Sequence, residues 1–413
     1  MTFAQAILAL VLLATLLQLA SIAIALLRAV RLTPDRPRER PPITILRPAC
    51  GIENHIEATL ASAYRIDYPD FEIVFCVASA ADPIVPVIER LMAAHPDIPS
   101  RLLTGDDRIS INPKLNNLVK GWKAAAHDWI VMADSNVLMP PDYLDRLVAR
   151  WTPGTGLVCS PPVGSAPEGM AADLECAFLN SYQARWQFVA DGLGMGFAQG
   201  KTMLWRRADL DRAGGIAALA TQSAEDAAAT KLVRAAGLKV RLVDRAFPQP
   251  LGTRSFGEVW HRQIRWARLR RDTFKLWFLP ELLAGGFFPL TAAIGLAATG
   301  ELPLPGLAAL FAAWYGGEIL LAAFLRWPLG LRAPLVYLFR DLLLPVLWLA
   351  AWGGSTFVWR GNAMDLRPED ARLRGAARAS RPERIRAFKR RPRGETLTPT
   401  ASRSRWLSGR KTS

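Results

Sequence analysis

From Phe3 to Leu27 the chain is almost uninterrupted Ala, Leu, Ile and Val, more than the roughly 20 apolar residues a helix needs to cross a bilayer. This run limits the rest of the fold, because every later domain must be compatible with an N-terminal membrane anchor. No basic residue precedes it, whereas Arg28, Arg31, Arg36, Arg38 and Arg40 follow it. The positive-inside rule therefore places the N-terminus outside and everything after Arg28 in the cytosol, the face of the inner membrane if the source is bacterial. A cleaved signal peptide requires the opposite charge order and a shorter apolar core. A chain of 413 residues that is 51% hydrophobic has room for a sizeable soluble domain plus further spans, which argues against a purely soluble enzyme. The net charge is +15, and residues 360–413 carry sixteen Lys and Arg against five Asp and Glu, so most of the excess lies in the tail.

Between Pro42 and Val163, short apolar runs alternate with amphipathic ones. "ITIL" (43–46), "FEIVFCV" (71–77), "SRLLT" (100–104), "WIVMA" (129–133) and "TGLVCS" (155–160) read as strands, and 53–64, 84–94, 114–126 and 142–150 as helices. Strands regularly separated by helices predict an α/β domain with a mainly parallel sheet covered on both faces. Ligands of such sheets bind beyond the carboxyl ends of the strands. Asp134 falls just past the end of the fourth run and Asp82 in the loop after the second; taken singly, each also reads as a turn or capping aspartate. Residues 168–191 have a helical period, and "GFAQGKTMLWRR" after them returns to strand character. Its "GKT" is not a phosphate loop, since the glycine required five residues before Gly200 is Met195. Cys50, Cys76, Cys159 and Cys176 form no CxxC pair and have no histidine at ligand spacing, so they read as reduced, mostly buried thiols.

After Phe256 the character changes. "FGEVWHRQIRWARLRRDTFKLWF" (256–278) mixes Arg and Lys with Trp and Phe, as a helix lying in a membrane interface requires. Apolar blocks at 282–299, 304–325 and 334–358 follow. Three full spans would leave the basic tail outside, against the charge rule, so either one block is re-entrant or split, with Pro345 a candidate break, or the rule fails here. The organisation is thus an anchor (1–30), an α/β catalytic domain (41–250), an interfacial helix (251–278), a membrane region (279–359) and a basic tail (360–413). The tail cannot bury enough apolar surface to fold alone and reads as disordered, held near anionic lipid. No nucleic-acid recognition fold accompanies it.

Asp82, "DSN" at 134–136, "AEDAAATKLVRAAG" at 224–237 and "RQIRW" at 262–266 occur in a definite order. Together with "LRPACGIENHIEATLASAYRIDYPDFEIVFCV", "ISINPKLNNLVKG", "DRAGGIAALA" and "WRGNAMDLR", they resemble the ceramide glucosyltransferase family from about Arg47 to Arg367. The resemblance implies a Rossmann-like GT-A catalytic domain between an N-terminal transmembrane helix and C-terminal membrane helices. It implies a UDP-sugar donor, a lipid acceptor and a divalent cation, Mg2+ or Mn2+. Asp134 then becomes the metal ligand, with Asn136 where the usual DxD pattern has a second carboxylate; an amide oxygen can still assist a hard cation. Asp82 is expected near the base and ribose and Lys114 near a phosphate or the uridine, while Asp226 is the expected general base. Asp226 also fits a capping box with Ser223, and the two readings are compatible, because a helix N-terminus favours an ionised carboxylate. Arg262 and Arg265 share a helical face and are expected to meet the departing diphosphate, with Trp266 stacking on donor or acceptor. Arg268, Arg271 and Lys275 are left as lipid-facing charges. Two departures fall where an acceptor would enter: Tyr182 stands where animal members have histidine, and "EDAAA" lacks the usual aromatic after "ED". The implied activity is inverting transfer of a hexose, foremost glucose from UDP-glucose, onto a lipid such as ceramide. Alternatives are a hopanoid, glycerolipid or polysaccharide acceptor, or a non-catalytic scaffold that binds anionic lipid.

Overall fold

The computed structural model describes residues 1–32, 37–359 and 362–365. Arg36 and the basic tail after Arg367 lie outside the described residues. The first helix, α1 (Phe3–Arg31), opens on a capping box in which Thr2 and Gln5 satisfy each other's backbone N–H groups. The α/β domain then runs β1 (Ile43–Ala49), α2 (Ile56–Ser62), β2 (Phe71–Val77), α3 (Val85–Ala94), β3 (Ser100–Thr104), α4 (Pro113–Ala124), β4 (Trp129–Ala133), α5 (Tyr143–Ala149), β5 (Thr155–Ser160) and β6 (Val163–Glu168). It continues through α6 (Met170–Ala177), a π-helical segment Phe178–Ala184, α7 (Arg185–Gly192), β7 (Thr202–Arg206), α8 (Arg207–Arg212), α9 (Glu225–Ala235), β8 (Lys239–Leu242) and β9 (Pro248–Thr253).

Seven of these strands form one sheet in the order β3-β2-β1-β4-β7-β5-β8. β1 lies parallel to β2 and β4, and β2 to β3. β7 enters between β4 and β5 antiparallel to both, and β5 pairs parallel with β8. The alternation of side chains explains the two-sided cover. Ile43, Ile45, Ile73, Phe75 and Val131 face a core closed by Leu60, Ile88 and Leu147, while Leu46, Val74, Ile130 and Met132 face Leu118, Trp122, Ala228 and Val233. β6 and β9 pair in a separate two-stranded sheet that periodicity did not reveal.

The C-terminal part comprises α10 (Phe256–Thr273), α11 (Lys275–Phe278), α12 (Phe287–Ala298), α13 (Leu304–Phe324) and α14 (Ala333–Trp352), then a hairpin of β10 (Thr356–Trp359) and β11 (Asn362–Asp365). Phe3–Arg31, Lys275–Ala298, Leu304–Phe324 and Ala333–Trp352 are long and apolar enough to cross a membrane. The second of these is broken at Gly285, whose φ of +88° a side chain resists. A Cβ there would meet Leu344 Cδ1 at 2.6 Å and Asp341 Oδ1 at 2.9 Å. At 1.5 Å per residue the remaining α12 is only about 18 Å long, short of the roughly 30 Å hydrocarbon layer. The interruption thus lies at the N-terminal edge of the 282–299 block, and Pro345 sits inside a continuous α14.

Two charge arrangements correct the sequence reading. Arg28 is no free flanking charge: only 6% exposed, it pairs with Asp191 at 2.6 Å. It also donates to the carbonyls of Leu242, Val243 and Asp244 and stacks on Phe188. It pins the end of α1 to the catalytic domain, so Arg28→Ala leaves Asp191 and three carbonyls under-satisfied and is expected to lower stability by about 3 kcal/mol, measurable as a shifted unfolding midpoint in detergent. Nor do Arg268 and Arg271 simply face lipid. Arg271 donates to the Ala351 carbonyl in the last turn of α14 and Arg268 to the Thr356 carbonyl at the start of β10, and Arg271 and Lys275 lie over the Trp352 ring.

Charges are also buried between the membrane helices. Arg340 donates to Glu318 at 2.8 and 3.1 Å, to Asp341 at 2.7 Å and to Ser181 at 2.5 Å. Gln18 of α1 donates to the same Glu318 at 2.7 Å, and Arg185 lies 3.7 Å from it. Asp341 closes the group by accepting from Tyr315 and from the Gly286 N–H at the start of α12.

Candidate active site

The chemistry-bearing side chains gather where four backbone ends meet: the carboxyl end of β4, the turn before β7, and the N-termini of α4 and α9. β4 reaches its last sheet contact with the Asp134 N–H donating to the Lys201 carbonyl at 3.0 Å. Beyond that point the Asp134 side chain has no strand to pack against and turns into the crevice. Lys114 Nζ lies 2.7 Å from Asp134 Oδ1 and Lys201 Nζ lies 3.1 Å from Oδ2. Burial pushes the Asp134 carboxyl up, but the two ammonium groups outweigh it and hold the carboxyl well below the usual carboxylate range.

Lys114 is placed by the start of its helix. Asn112 caps α4 through the N–H groups of Lys114 and Leu115, and Pro113 pre-sets the first turn. The ammonium then reaches Glu225 Oε1 at 2.7 Å and the Gly200 carbonyl at 2.5 Å. It is held above the ordinary lysine range: burial opposes the charge, but Asp134 and Glu225 prevail. Asn112 donates its amide to the other Glu225 oxygen at 2.6 Å, tying α4 to α9.

Asp226 occupies the second position of α9 and accepts from the N–H groups of Gly200 at 3.1 Å and Ala227 at 2.7 Å. Its carboxyl is pushed up to about 7, chiefly by burial and then by the adjacent Glu225, against the pull of Lys114 and the two N–H groups. The expected capping box does not form. Ala224 is the N-cap, and the Ser223 hydroxyl donates instead to Asp272 of α10 at 3.1 Å.

Asn136 accepts from Lys201 at 3.0 Å and donates to Glu53 at 3.2 Å. Arg262 pairs with the buried Glu175, which also takes Arg254 at 3.3 Å. The Arg262 charge still reaches the site, where it helps burial depress Lys201. Arg265, three residues on, is half-buried, and Trp266 packs against Cys176, Leu179 and Leu251. Asp82 lies in the loop after β2, where it accepts from the N–H groups of Gly51 at 2.9 Å and Ile84 at 3.0 Å. It clamps two loops at the carboxyl edge of the sheet; these two bonds do not join it to Asp134.

Several contributors escaped the sequence reading. Gly200 and Lys201 belong to the "GKT" that lacks phosphate-loop spacing, yet Gly200 bridges Lys114 and Asp226 through its carbonyl and N–H. A Cβ there would stand 2.6 Å from Glu225 Oε1 and 3.1 Å from Lys114 Nζ. Gly200→Ala is expected to lower kcat/KM by about 100-fold through displacement of these groups, with an unchanged unfolding midpoint as the control. Arg47, fully buried in β1, donates to the Ser135 carbonyl at 2.9 Å and props the loop after β4; burial lowers it to about 10. An arginine inside an otherwise apolar strand was the available signal.

The described residues contain no group of three His, Cys, Asp or Glu side chains able to hold a metal ion unaided. The donor set nevertheless suits a hard cation, since both Asp134 oxygens already face positive charge and the Asn136 carbonyl oxygen meets the same Lys201 ammonium.

The fold and this crevice define a membrane-associated α/β protein whose carboxylates, lysines and arginine can handle a charged donor. Residues 11–372 match the model of glycosyl transferase family 21, and the chain belongs to that family. Its sheet is mainly parallel, as the resemblance implied. The chain is 26% identical to ceramide glucosyltransferase 1 of Caenorhabditis elegans over 56% of its length and 50% of that protein's. It is 24% identical to ceramide glucosyltransferase 3 of the same organism over 79% and 73% respectively. The match thus spans half of the first relative. Among solved structures, a mannosyltransferase from Pyrobaculum calidifontis in complex with GDP-Man and Mn2+ superposes with a TM-score of 0.49 at 19% identity, covering 82% of this chain and 97% of that one.

Proposed function

We propose that the chain is an inverting hexosyltransferase that moves glucose from UDP-glucose onto the hydroxyl of a membrane lipid such as ceramide, with its catalytic domain on the cytosolic face. The observation that carries this reading is the convergence of Asp134, Lys114, Glu225 and Asp226 about Gly200, with α10 alongside. In this reading Asp226 accepts the proton of the acceptor hydroxyl as the oxygen bonds to the anomeric carbon and the bond to the diphosphate breaks. Lys114 and Lys201 receive the departing negative charge, and Arg262 and Arg265 approach from α10. A divalent cation held by Asp134 and Asn136 supplies further neutralisation of the diphosphate when bound. Asp82 serves the base and ribose by fixing the loop over which they lie. Trp266 supports the helix that carries the arginines.

The acceptor is expected to approach between the π-helical segment, α10 and α14, where Phe178, Tyr182, Gln183, Gln263, Phe278 and Leu344 line a pocket. At about 20 Å³ the pocket holds little more than a water and must widen to admit a lipid, while the Gln183–Gln263 amide pair, joined at 3.0 Å, suits a polar head. The test is to incubate detergent-purified protein with UDP-glucose, Mg2+ or Mn2+ and ceramide, with hopanoid and glycerolipid in parallel. Glucosylated ceramide detected by mass spectrometry is the expected result. Glucose on another lipid reassigns the acceptor, and the absence of any glucosylated lipid overturns the reading.

A further inference from the structure

We infer that a second site, distinct from the catalytic crevice, binds the phosphate of an anionic phospholipid where α13 leaves the membrane. The pocket lies between the start of β6, α7, the loop after β8 and the end of α13, and its lining includes Arg245, Arg326, Phe188, Leu325, Trp327 and Pro328. Both arginines are exposed, and among the described residues neither guanidinium has an ion-pair partner, so two uncompensated cations share one opening.

The backbone at Arg326 carries the argument further. α13 ends in a Schellman motif: the Trp327 N–H donates to the Ala322 carbonyl at 2.9 Å and the Arg326 N–H to that of Ala323 at 3.2 Å. The residue between must be left-handed, and such ends prefer glycine because a Cβ is strained there. This chain places an arginine at that position with φ of +57°. Strain at a non-glycine residue is characteristic of positions kept for function, and what Arg326 supplies that glycine would not is a cation at the pocket.

The position selects the source of the anion. Ile22 and Ala25 of α1 and Leu321, Leu325 and Trp327 at the end of α13 join the same core as Phe188 and Leu242 of the catalytic domain. Both helices therefore enter that domain at one level, where the headgroup layer must lie. The following loop turns Leu329 and the fully exposed Leu331 outward, as an interfacial loop does. A phosphate bearing acyl chains satisfies both the arginines and the apolar rim, whereas inorganic phosphate uses only the arginines.

The test uses the full chain in nanodiscs with photo-crosslinkable phosphatidylglycerol or phosphatidylcholine, followed by peptide mapping. Phosphatidylglycerol is expected to label the peptides containing Arg245 and Leu325–Pro328 at least tenfold more than phosphatidylcholine. Arg326→Gly and Arg245→Gln are each expected to abolish that preference. Because glycine suits the helix end, Arg326→Gly should keep or raise the unfolding midpoint, which separates lost binding from lost folding. Equal labelling by the two lipids, unchanged labelling in both variants, or suppression by millimolar inorganic phosphate would overturn the assignment.

Discussion

Asp226→Asn is expected to reduce kcat by about 1,000-fold, within the range that a positioned general base supplies. The pH profile identifies the group more sharply. With the Asp226 carboxyl pushed up to about 7, wild-type kcat/KM should rise about tenfold per pH unit below neutrality and level off above it, since only the ionised form accepts a proton. Glu225→Gln removes one of the two causes that raise Asp226 and leaves Lys114, which lowers it, so the midpoint should move to lower pH. The stability consequence has the opposite sense. A carboxyl raised in the folded state contributes stability that is complete below its unfolded value of about 3.9 and is lost as pH rises through about 7. Wild type should therefore lose midpoint temperature between about pH 4 and pH 7 and little above that, and Asp226→Asn, having nothing to ionise, should lose less. An inactive variant with that flattened stability profile confirms both the burial and the role; a variant with wild-type turnover removes Asp226 from the chemistry.

The buried network between the membrane helices carries the second large effect. Arg340 and Glu318 are fully buried, so Arg340→Leu leaves Glu318 and Asp341 facing Arg185 alone. Breaking a buried pair by removing one partner costs about 3–5 kcal/mol, which for a chain of this size lowers the unfolding midpoint in detergent by roughly 5 °C. Glu318→Met combined with Arg340→Met leaves Arg185 and Asp341 in balance and should recover much of the loss, since an apolar pair of similar volume is often neutral. The exposed Arg90–Glu57 pair, with side chains 61% and 60% accessible, provides the contrast: its removal should cost less than about 1 kcal/mol. Equal losses from the two pairs would show that the inner network is solvated.

Local pattern was enough for much of the scaffold. "FEIVFCV", "WIVMA" and "TGLVCS" are strands over the expected residues, because a buried strand needs a continuous apolar run and these runs are bounded by turn residues; "SRLLT", half-exposed at the sheet edge, is a strand over its expected residues too. The placement of Asp134 beyond β4 and of Asp226 at the start of a helix was legible for the same reason. Pro345 is the candidate break by sequence, yet the interruption lies at Gly285. Proline is a conspicuous helix breaker, whereas Gly285 breaks the chain only because Asp341 and Leu344 crowd it.

The sequence by itself determined the anchor, the alternating α/β order and the residues at strand ends, since hydrophobic period and length act over a few neighbouring positions. Tertiary structure alone decided that β7 inserts antiparallel and delivers Gly200 and Lys201 to Asp134, that Arg28 docks rather than flanks, and that Gln18 meets Glu318 across 300 residues of chain. Hydrogen bonds and ion pairs depend on which partner is within about 3 Å, and folding, not spacing along the chain, fixes that.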